Sequence, residues 1–157
     1  MIESDVEVLL TRLDPELPIP SYAHAGDAGL DLVARHDHLL PAGQRGAVGT
    51  GIALALAPGY VGLVHPRSGL ARKHGITVLN SPGTVDAGYR GEIQVLLLNT
   101  DHDDFQIRRG DRIAQLVIQR FARARLIEVE RLPGSDRGAA GFGSTGLSAT
   151  PGRGVQQ

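Results

Sequence analysis

Residues 80–93 carry more chemistry than a chain reversal needs. Asn80 offers an amide, Thr84 a hydroxyl, Asp86 a carboxylate and Tyr89 an aromatic ring. Apolar residues precede and follow the segment, and turn-forming residues crowd its middle, so the pattern predicts a β-hairpin with an elaborate tip. Loops that a rigid scaffold holds in place are where functional side chains concentrate. The spacing therefore indicates a functional loop.

A second group of polar residues lies in a segment rich in glycine, residues 137–146. Glycine allows backbone N–H groups to converge on anionic oxygens, and Arg137, Ser144 and Thr145 would add further donors. Phe142 has no core to join, but its ring could stack on a flat ligand. The alternative, a solvated Gly/Ser tail, stays open on composition alone.

Pro66-Arg67-Ser68-Gly69 follows a predicted strand and opens a predicted short helix. The start of a helix presents unpaired N–H groups and the positive end of its dipole, which favours an anion. Arg67 would add a bidentate fork and Ser68 a hydroxyl. Ser68 could also be the N-cap of the helix, and the two roles are compatible.

Two further polar residues lie within predicted strands. Asp31 is an acidic group among strand residues, where it could support a hydrated Mg²⁺, or it could be an Asx-turn carboxylate. Gln115 could bond a phosphate or face solvent. His36-Asp37-His38 lies in a polar turn without a third ligand at suitable spacing, so we predict no histidine metal site.

Composition narrows the class of protein. The 157 residues are sufficient for one domain, and a net charge of −1 gives no electrostatic case for non-specific nucleic-acid or membrane binding. The absence of cysteine excludes disulfides and thiol catalysis and fits a reducing compartment. The acidic N-terminal residues do not predict a signal peptide, and no apolar run approaches the length of a membrane span.

The chain reads as many short strands with turns between them. It contains 21 Gly and 9 Pro, and the pattern predicts an antiparallel all-β sandwich, barrel or jelly roll with one short helix. We expect a core over residues 1–133 and a mobile tail over 134–157, because the tail has too few large apolar groups to offset its ordering entropy. The predicted strands are 6–13, 29–34, 47–57 (one or two strands), 60–64, 76–79, 93–98, 105–108, 113–121 and 126–132, and the helix is 68–74.

Five segments, in this order, resemble the five motifs of the trimeric dUTP pyrophosphatases (dUTPases). They are 25–32, 66–69, 80–93, 109–116 and 137–146. The resemblance implies an all-β, jelly-roll-like subunit in a homotrimer, with three active sites at the subunit interfaces and the tail closing over a site on neighbouring chains. It implies hydrolysis of dUTP to dUMP and pyrophosphate in the cytoplasm, which keeps uracil out of DNA and supplies dUMP for thymidylate synthesis. No direct nucleic-acid or membrane partner is implied.

The resemblance also assigns roles to individual residues. Asp86 would activate a water for in-line attack on the α-phosphorus. Asp31 would hold the water shell of Mg²⁺, whose direct ligands would be substrate phosphates. The remaining residues expected to contact the nucleotide are Arg67, Ser68, Gly69, Asn80, Thr84, Val85, Tyr89, Gln94, Gln115, Arg137, Phe142, Gly143, Ser144 and Thr145.

Selection of the nucleoside follows from the same resemblance. The Tyr89 ring would pack on the deoxyribose, where a 2′-hydroxyl clashes or loses its hydrogen bonds. The hairpin backbone and Asn80 would match uracil, cytosine would leave buried groups unpaired, and the thymine methyl would be excluded sterically. Phe142 would cap the base. Ala140 stands where the family usually has glycine, which costs ~1 kcal/mol if that position needs a positive φ.

Three alternatives compete with this hypothesis. A dCTP deaminase shares the fold, but it needs a general acid/base near C4 of the base, and no such carboxylate stands out beside the second and third segments. A non-catalytic dUTP-binding regulator would retain the pocket without turnover. A structural jelly roll of the capsid type explains the strands but not five polar motifs.

Overall fold

The computed structural model describes residues 5–135 and 138–139. It divides into two units, residues 1–123 and 124–157, which are considered separately. Within the described part of the first unit there are ten strands and one helix. In chain order these are β1 Leu9–Arg12, β2 Gly29–Val33, β3 His38–Leu40, β4 Arg45–Ala55, β5 Tyr60–His65, α1 Ser68–His74, β6 Ile76–Val78, β7 Gly83–Val85, β8 Glu92–Asn99, β9 Phe105–Ile107 and β10 Arg112–Arg120.

The strands form two four-stranded sheets and a two-stranded ribbon, all antiparallel. The first sheet has the order β1-β4-β8-β6, the second β2-β10-β5-β7, and β3 pairs with β9. Aliphatic side chains from both large sheets form one buried cluster. The all-β antiparallel fold with one short helix is therefore confirmed.

Strand β8 shows how the sequence forms this core. Its inward residues Ile93, Val95 and Leu97 are buried and alternate with outward residues, which is the pattern of a strand with one face on the core. Burying each such side chain contributes about 1.5–3 kcal/mol. Asn99 continues the inward row, and its amide donates to the carbonyl oxygens of Leu40 and Asp103 at 3.1 and 2.8 Å, which offsets the cost of burying it.

Helix α1 has the bounds that the sequence predicts. It ends at Gly75, whose φ of +61° is in the left-handed region and whose N–H bonds back to the last turn. Ser68 is the first helical residue and not the N-cap. The preceding Arg67 takes the N-cap position without a side-chain cap bond, so the prediction of a Ser68 cap is wrong.

The hairpin prediction needs one correction. β6 and β8 pair as expected, with Thr77 opposite Leu98. Between them, however, the short strand β7 leaves the hairpin and pairs with β5 in the other sheet, where Thr84 lies opposite Leu63. The loop is thus held by both sheets. The glycine at position 83 allows β7 to approach β5 closely, because a Cβ there would lie only 3.3 Å from the Val64 side chain.

Two other expectations differ from the structure. Strand β3, His38–Leu40, lies partly in what the sequence predicts as a polar turn, because its partner β9 is distant in sequence. The predicted strand 126–132 is absent from the described residues of the second unit, which form no ladder there. Alternating polarity alone does not make a strand without a partner to satisfy its backbone.

The predicted tail falls mostly outside the described residues. Residues 136–137 and 140–157 are not described, so the predicted roles of Arg137, Phe142, Gly143, Ser144 and Thr145 stay predictions. The boundary predicted at residue 133 likewise stays a prediction. None of the helices in the described ranges combines the length and the apolar character that a membrane crossing requires.

Candidate functional site

Two predicted site residues, Asp31 and Gln115, form one row across the second sheet together with His65. In the ladder, Gln115 of β10 lies opposite Asp31 of β2 on one side and His65 of β5 on the other. Cross-strand partners in an antiparallel sheet have their side chains close together on one face. Register therefore assembles residues that are up to 84 positions apart in the chain.

Two arginines hold the Asp31 carboxylate. Arg67 Nε lies 3.2 Å from one carboxylate oxygen and Arg112 Nε lies 3.5 Å from the other. Arg67 also donates to the Arg112 carbonyl oxygen at 3.2 Å. Asp31 is part of strand β2, so the alternative of an Asx-turn carboxylate is wrong.

Gln115 secures the loop that follows β5. Its Nε2 donates to the carbonyl oxygen of Pro66 at 3.0 Å, and its side chain is partly buried. The alternative that it simply faces solvent is therefore wrong. This bond fixes the turn that leads from β5 into Arg67 and the start of α1.

These residues line a cavity, here called the cationic pocket. Its volume is about 760 Å³. Its walls carry more basic than acidic groups, and small residues give access to backbone N–H groups, so it suits a polyanion. The polar side chains around it are His24, Asp27, Asp31, His65, Arg67, Ser68, Lys73, His74, Arg112 and Gln115.

A second cavity of about 380 Å³, here called the hairpin pocket, lies at the β7–β8 connection. Six of the residues that the sequence predicts to contact the nucleotide line it. Asp86 is exposed there, whereas the preceding Val85 is buried and anchors the loop to the core. The lining residues are Asn80, Thr84, Val85, Asp86, Tyr89, Glu92, Ile93, Gln94 and Leu96.

The Tyr89 ring is folded back along the loop. Its hydroxyl donates to the Glu92 carbonyl oxygen at 2.9 Å, and its N–H donates to the Asp86 carbonyl oxygen at 3.0 Å. Gly91 makes this possible, because a Cβ at that position would overlap the ring. Arg90 closes the turn by donating to the carbonyl oxygens of Ala87 and Tyr89 at 2.6 and 2.7 Å.

The two pockets have no lining residue in common among the described residues. Each pocket is lined by a different set of the residues that the sequence predicts for the site. Asp31, Arg67, Ser68, Gly69 and Gln115 are in the cationic pocket, while Asn80, Thr84, Val85, Asp86, Tyr89 and Gln94 are in the hairpin pocket.

Several lining residues were not predicted. Arg112 has a detectable signal, since it begins the strand that carries Gln115. Lys73 and His74 lie on the predicted helix and could have been placed near its start by helical geometry. Glu92 gives no signal in the sequence, because its partners Arg35 and Gly51 are 57 and 41 positions away in the chain.

An ion-pair network lies outside both pockets, at the N-terminal loop. Arg109, from the fourth motif, pairs with Asp14 and Glu16 and donates to the Arg35 carbonyl oxygen at 3.0 Å. The hydrogen bond from Arg109 lowers the pKa of Asp14 below its ordinary value, against the opposing effect of desolvation.

The fold and the site together define an all-β protein with a cationic pocket and a separate hairpin pocket that carries an exposed carboxylate. Comparison with known proteins gives the family. The family model described as dUTPase matches residues 15–146. The deoxyuridine 5′-triphosphate nucleotidohydrolase of Thermobifida fusca is 63% identical over 142 residues, which are 90% of this chain and 79% of that protein. The protein of that name from Bifidobacterium longum subsp. infantis is 61% identical over 145 residues, with 91% and 92% covered.

Solved structures agree. A mutant dUTPase of Staphylococcus bacteriophage 80alpha with dUpNHpp superposes with a TM-score of 0.83 at 27% identity, covering 90% of this chain and 99% of that one. A mutant dUTPase of phage phi11 of S. aureus, described with a structural Mg(II) ion, has a TM-score of 0.73 at 25% identity, covering 80% and 97%. The chain belongs to the dUTPase family. The predictions of that family, and of a dUTP diphosphatase as its enzyme class, are confirmed.

Proposed function

We propose that this chain hydrolyses dUTP to dUMP and pyrophosphate, with Asp86 orienting and activating the attacking water. The observation that carries the proposal is the hairpin pocket, which combines an exposed carboxylate with a ring and an amide in a chain whose residues 15–146 match the dUTPase family. The water would attack the α-phosphorus in line with the departing pyrophosphate. Positioning and charge stabilisation carry most of such phosphoryl chemistry.

In this proposal the cationic pocket binds the triphosphate. Arg67 would offer its fork to phosphate oxygens, Ser68 its hydroxyl and Gln115 its amide. The Arg67–Asp31 ion pair keeps the guanidinium in place before substrate arrives. Backbone N–H groups at Ser68 and Gly69, at the start of α1, would add donors.

The donor set fits a magnesium ion that the substrate brings with it. No cluster of three His, Asp or Glu side chains in the described ranges is arranged to hold a metal. Asp31 is already paired with two arginines, so we infer that it contacts the ion through water. When bound, Mg²⁺ would neutralise charge on the phosphate oxygens.

Selection of the base and sugar would take place in the hairpin pocket. Uracil would bond to the β-hairpin backbone and Asn80, and Thr84, Val85 and Gln94 would provide further contacts along the backbone. Cytosine presents the opposite donor–acceptor pattern at two positions and would leave buried groups unpaired. Tyr89 would pack on the deoxyribose and reject a 2′-hydroxyl.

The separation of the two pockets supports a site shared between subunits. Because they have no described lining residue in common, we infer that the hairpin pocket of one copy faces the cationic pocket of another in a homotrimer. The tail, through Arg137, Phe142, Gly143, Ser144 and Thr145, would close over the nucleotide. We place the reaction in the cytoplasm, where it would limit uracil in DNA and supply dUMP for thymidylate synthesis.

The decisive experiment is a substrate panel. The purified protein is incubated with Mg²⁺ and dUTP, dCTP, dTTP or UTP, and the products are resolved by chromatography. We expect conversion of dUTP alone to dUMP and pyrophosphate. Asp86→Asn should lower kcat by about 10²–10⁴-fold, the range for loss of a general base, while binding of a non-hydrolysable dUTP analogue persists.

Asp103→Asn is the matched control, since Asp103 is an exposed loop aspartate outside both pockets. It should leave kcat unchanged. Conversion of dCTP to a uracil nucleotide would contradict the proposal and favour a deaminase. Binding of dUTP without turnover would indicate a regulator instead.

A further inference from the structure

A partly buried ion pair lies directly behind the hairpin pocket. Arg35 Nη1 is 3.4 Å from a carboxylate oxygen of Glu92, and the two side chains are 29% and 20% exposed. The other oxygen of Glu92 accepts a hydrogen bond from the Gly51 N–H at 2.8 Å. The Glu92 side chain thus contacts Arg35, in the loop after β2, and Gly51, in strand β4.

Strand β4 is shaped to receive this carboxylate. The β4–β8 ladder is irregular between Gly49 and Ala53, and Gly51 there has a φ of +73°. A Cβ at Gly49 would lie 2.6 Å from a Glu92 carboxylate oxygen, so no larger residue fits without moving it. An irregular strand that re-aims a backbone N–H is a common device next to functional sites.

The Arg35 side chain has little freedom to move. Its Nη2 donates to the Leu13 carbonyl oxygen at 3.1 Å, and its Nε is buried without a hydrogen-bond partner among the described residues. A guanidinium confined in this way is stabilised by a carboxylate nearby. Among the described residues, Glu92 is the carboxylate within ion-pair distance of Arg35, and Asp14 adds a second negative charge nearby.

The backbone of Glu92 connects this ion pair to the ring of Tyr89. The carbonyl oxygen of Glu92 accepts the Tyr89 hydroxyl, and Gly91 leaves room for the ring between the two residues. The position of the ring therefore depends on where Glu92 is held. The Glu92 side chain sets that position through Gly51 and Arg35.

We propose that Glu92 and Arg35 are positioning residues that fix the Tyr89 ring and thereby determine rejection of ribonucleotides. The inference rests on the proposed function, in which this ring contacts the sugar. Neither side chain needs to touch the nucleotide. Their effect passes through the Glu92 carbonyl oxygen and the β4 irregularity.

The test compares kcat and KM for dUTP and for UTP in four proteins: wild type, Glu92→Ala, Arg35→Lys and Asp103→Asn. Glu92→Ala should raise the kcat/KM for UTP relative to dUTP by about tenfold, mainly through KM, because one misplaced sugar contact has that order of effect. Arg35→Lys keeps the charge and should give a smaller change. Asp103→Asn, at an exposed loop aspartate outside both pockets, is the control and should leave the ratio unchanged.

Gly91→Ala provides a direct displacement of the ring, since the added Cβ would overlap the hydroxyl and the adjoining ring carbons of Tyr89. It should raise the UTP ratio at least as far as Glu92→Ala does. If Glu92→Ala does not fold, Glu92→Gln replaces it, retaining an acceptor for Gly51 but not the charge. An unchanged ratio in every folded Glu92 and Gly91 variant, or an equal change in Asp103→Asn, would overturn the proposal.

Hydrogen exchange separates failure of this inference from failure of the proposed function. Peptides covering residues 86–93 should exchange faster in Glu92→Ala than in Asp103→Asn, whatever the substrate. Normal protection there would refute the positioning role even in an inactive protein. A wild-type protein that ignores dUTP but shows the exchange difference would refute only the function.

Discussion

The cationic pocket and the hairpin pocket are built by different means. In the first, charged side chains orient one another, as Arg67 and Arg112 do around Asp31. In the second, most of the shape comes from backbone, with Tyr89 held by a carbonyl oxygen and the loop held by β7. The first suits a ligand whose charge is spread over many oxygens. The second suits a base that must be read through a few fixed hydrogen bonds.

This difference predicts how each pocket responds to mutation. Removing a charge from the cationic pocket leaves its partner unpaired and affects several contacts at once. Changing a side chain in the hairpin pocket leaves the backbone donors and acceptors intact. Apart from Asp86, whose carboxylate is proposed to activate the water, the hairpin pocket should therefore be sensitive mainly to changes in the residues that support its backbone.

Among the variants that test this difference between the pockets, Arg67→Ala should change kcat/KM for dUTP the most. It removes a fork from the triphosphate and leaves Asp31 with Arg112 as its ion-pair partner, so we expect kcat/KM for dUTP to fall by about 10²–10³-fold, as for loss of a charge-assisted bidentate contact. Steady-state kinetics with dUTP at fixed Mg²⁺ would measure it. Arg67→Lys should recover only part of the loss, because an ammonium cannot reproduce the fork.

Arg72→Ala is the control for bulk charge. Arg72 lies in the last turn of α1, the helix that begins directly after Arg67, and it does not line either pocket. Its removal should change kcat/KM for dUTP little. A loss as large as that of Arg67→Ala would mean that the cationic pocket acts through its overall field and not through defined ion pairs.

Thr50→Val examines the support behind the hairpin pocket. The Thr50 hydroxyl is buried and donates to the Ile93 carbonyl oxygen at 2.7 Å, and Ile93 lines the pocket. Valine has nearly the same shape but leaves that oxygen unsatisfied, which should lower the free energy of unfolding by about 1–3 kcal/mol. Urea denaturation would measure it.

Thr11→Val is the control for stability. At this exposed position on β1 it should leave the free energy of unfolding within about 0.5 kcal/mol of wild type.

The kinetic consequence of Thr50→Val should be a higher KM for dUTP with little change in kcat. If instead kcat falls while KM stays the same, the hairpin backbone would not be acting through ground-state binding, and the contrast between the pockets would need revision.

The sequence was most informative where the signal is local. Helix α1 could be bounded because Pro66 precedes it and Gly75 terminates it, and the polar residues of the hairpin lie within fourteen positions of one another. Pairings between distant strands gave no such signal. Strand β3, the Arg112–Asp31 pair and the Arg35–Glu92 pair depend on register and on the β4 irregularity, which local pattern does not encode.

The same limit applies to β7. Its three residues, Gly83–Val85, resemble any turn in composition, and only the approach of β5 makes them a strand. Tertiary context overrides local preference in such short segments. Motif resemblance named five of the residues that line the cationic pocket and six of those that line the hairpin pocket, and the fold supplied this grouping, while the roles of these residues stay predictions.

The smallest expected effect concerns the network that lies outside both pockets. Arg109 lowers the pKa of Asp14 in the folded protein below its ordinary value of 3.8. A carboxylate with a depressed folded pKa contributes stability that is complete above the unfolded value and is lost as pH falls through the folded one. Asp14→Asn should therefore be less stable than wild type near neutral pH, and the difference should shrink as pH falls from about 4 towards about 2.

Urea denaturation of both proteins across that range would show it, with Arg109→Lys giving an intermediate pH dependence because its ammonium retains charge without the fork. kcat/KM for dUTP at neutral pH should be the same in Asp14→Asn as in wild type, since Asp14 lines neither pocket. A stability difference that stayed constant down to the lowest pH would mean that the ion pair contributes through geometry alone. A fall in kcat/KM would mean that the network at Arg109 reaches one of the pockets, and the two could no longer be treated as separately built.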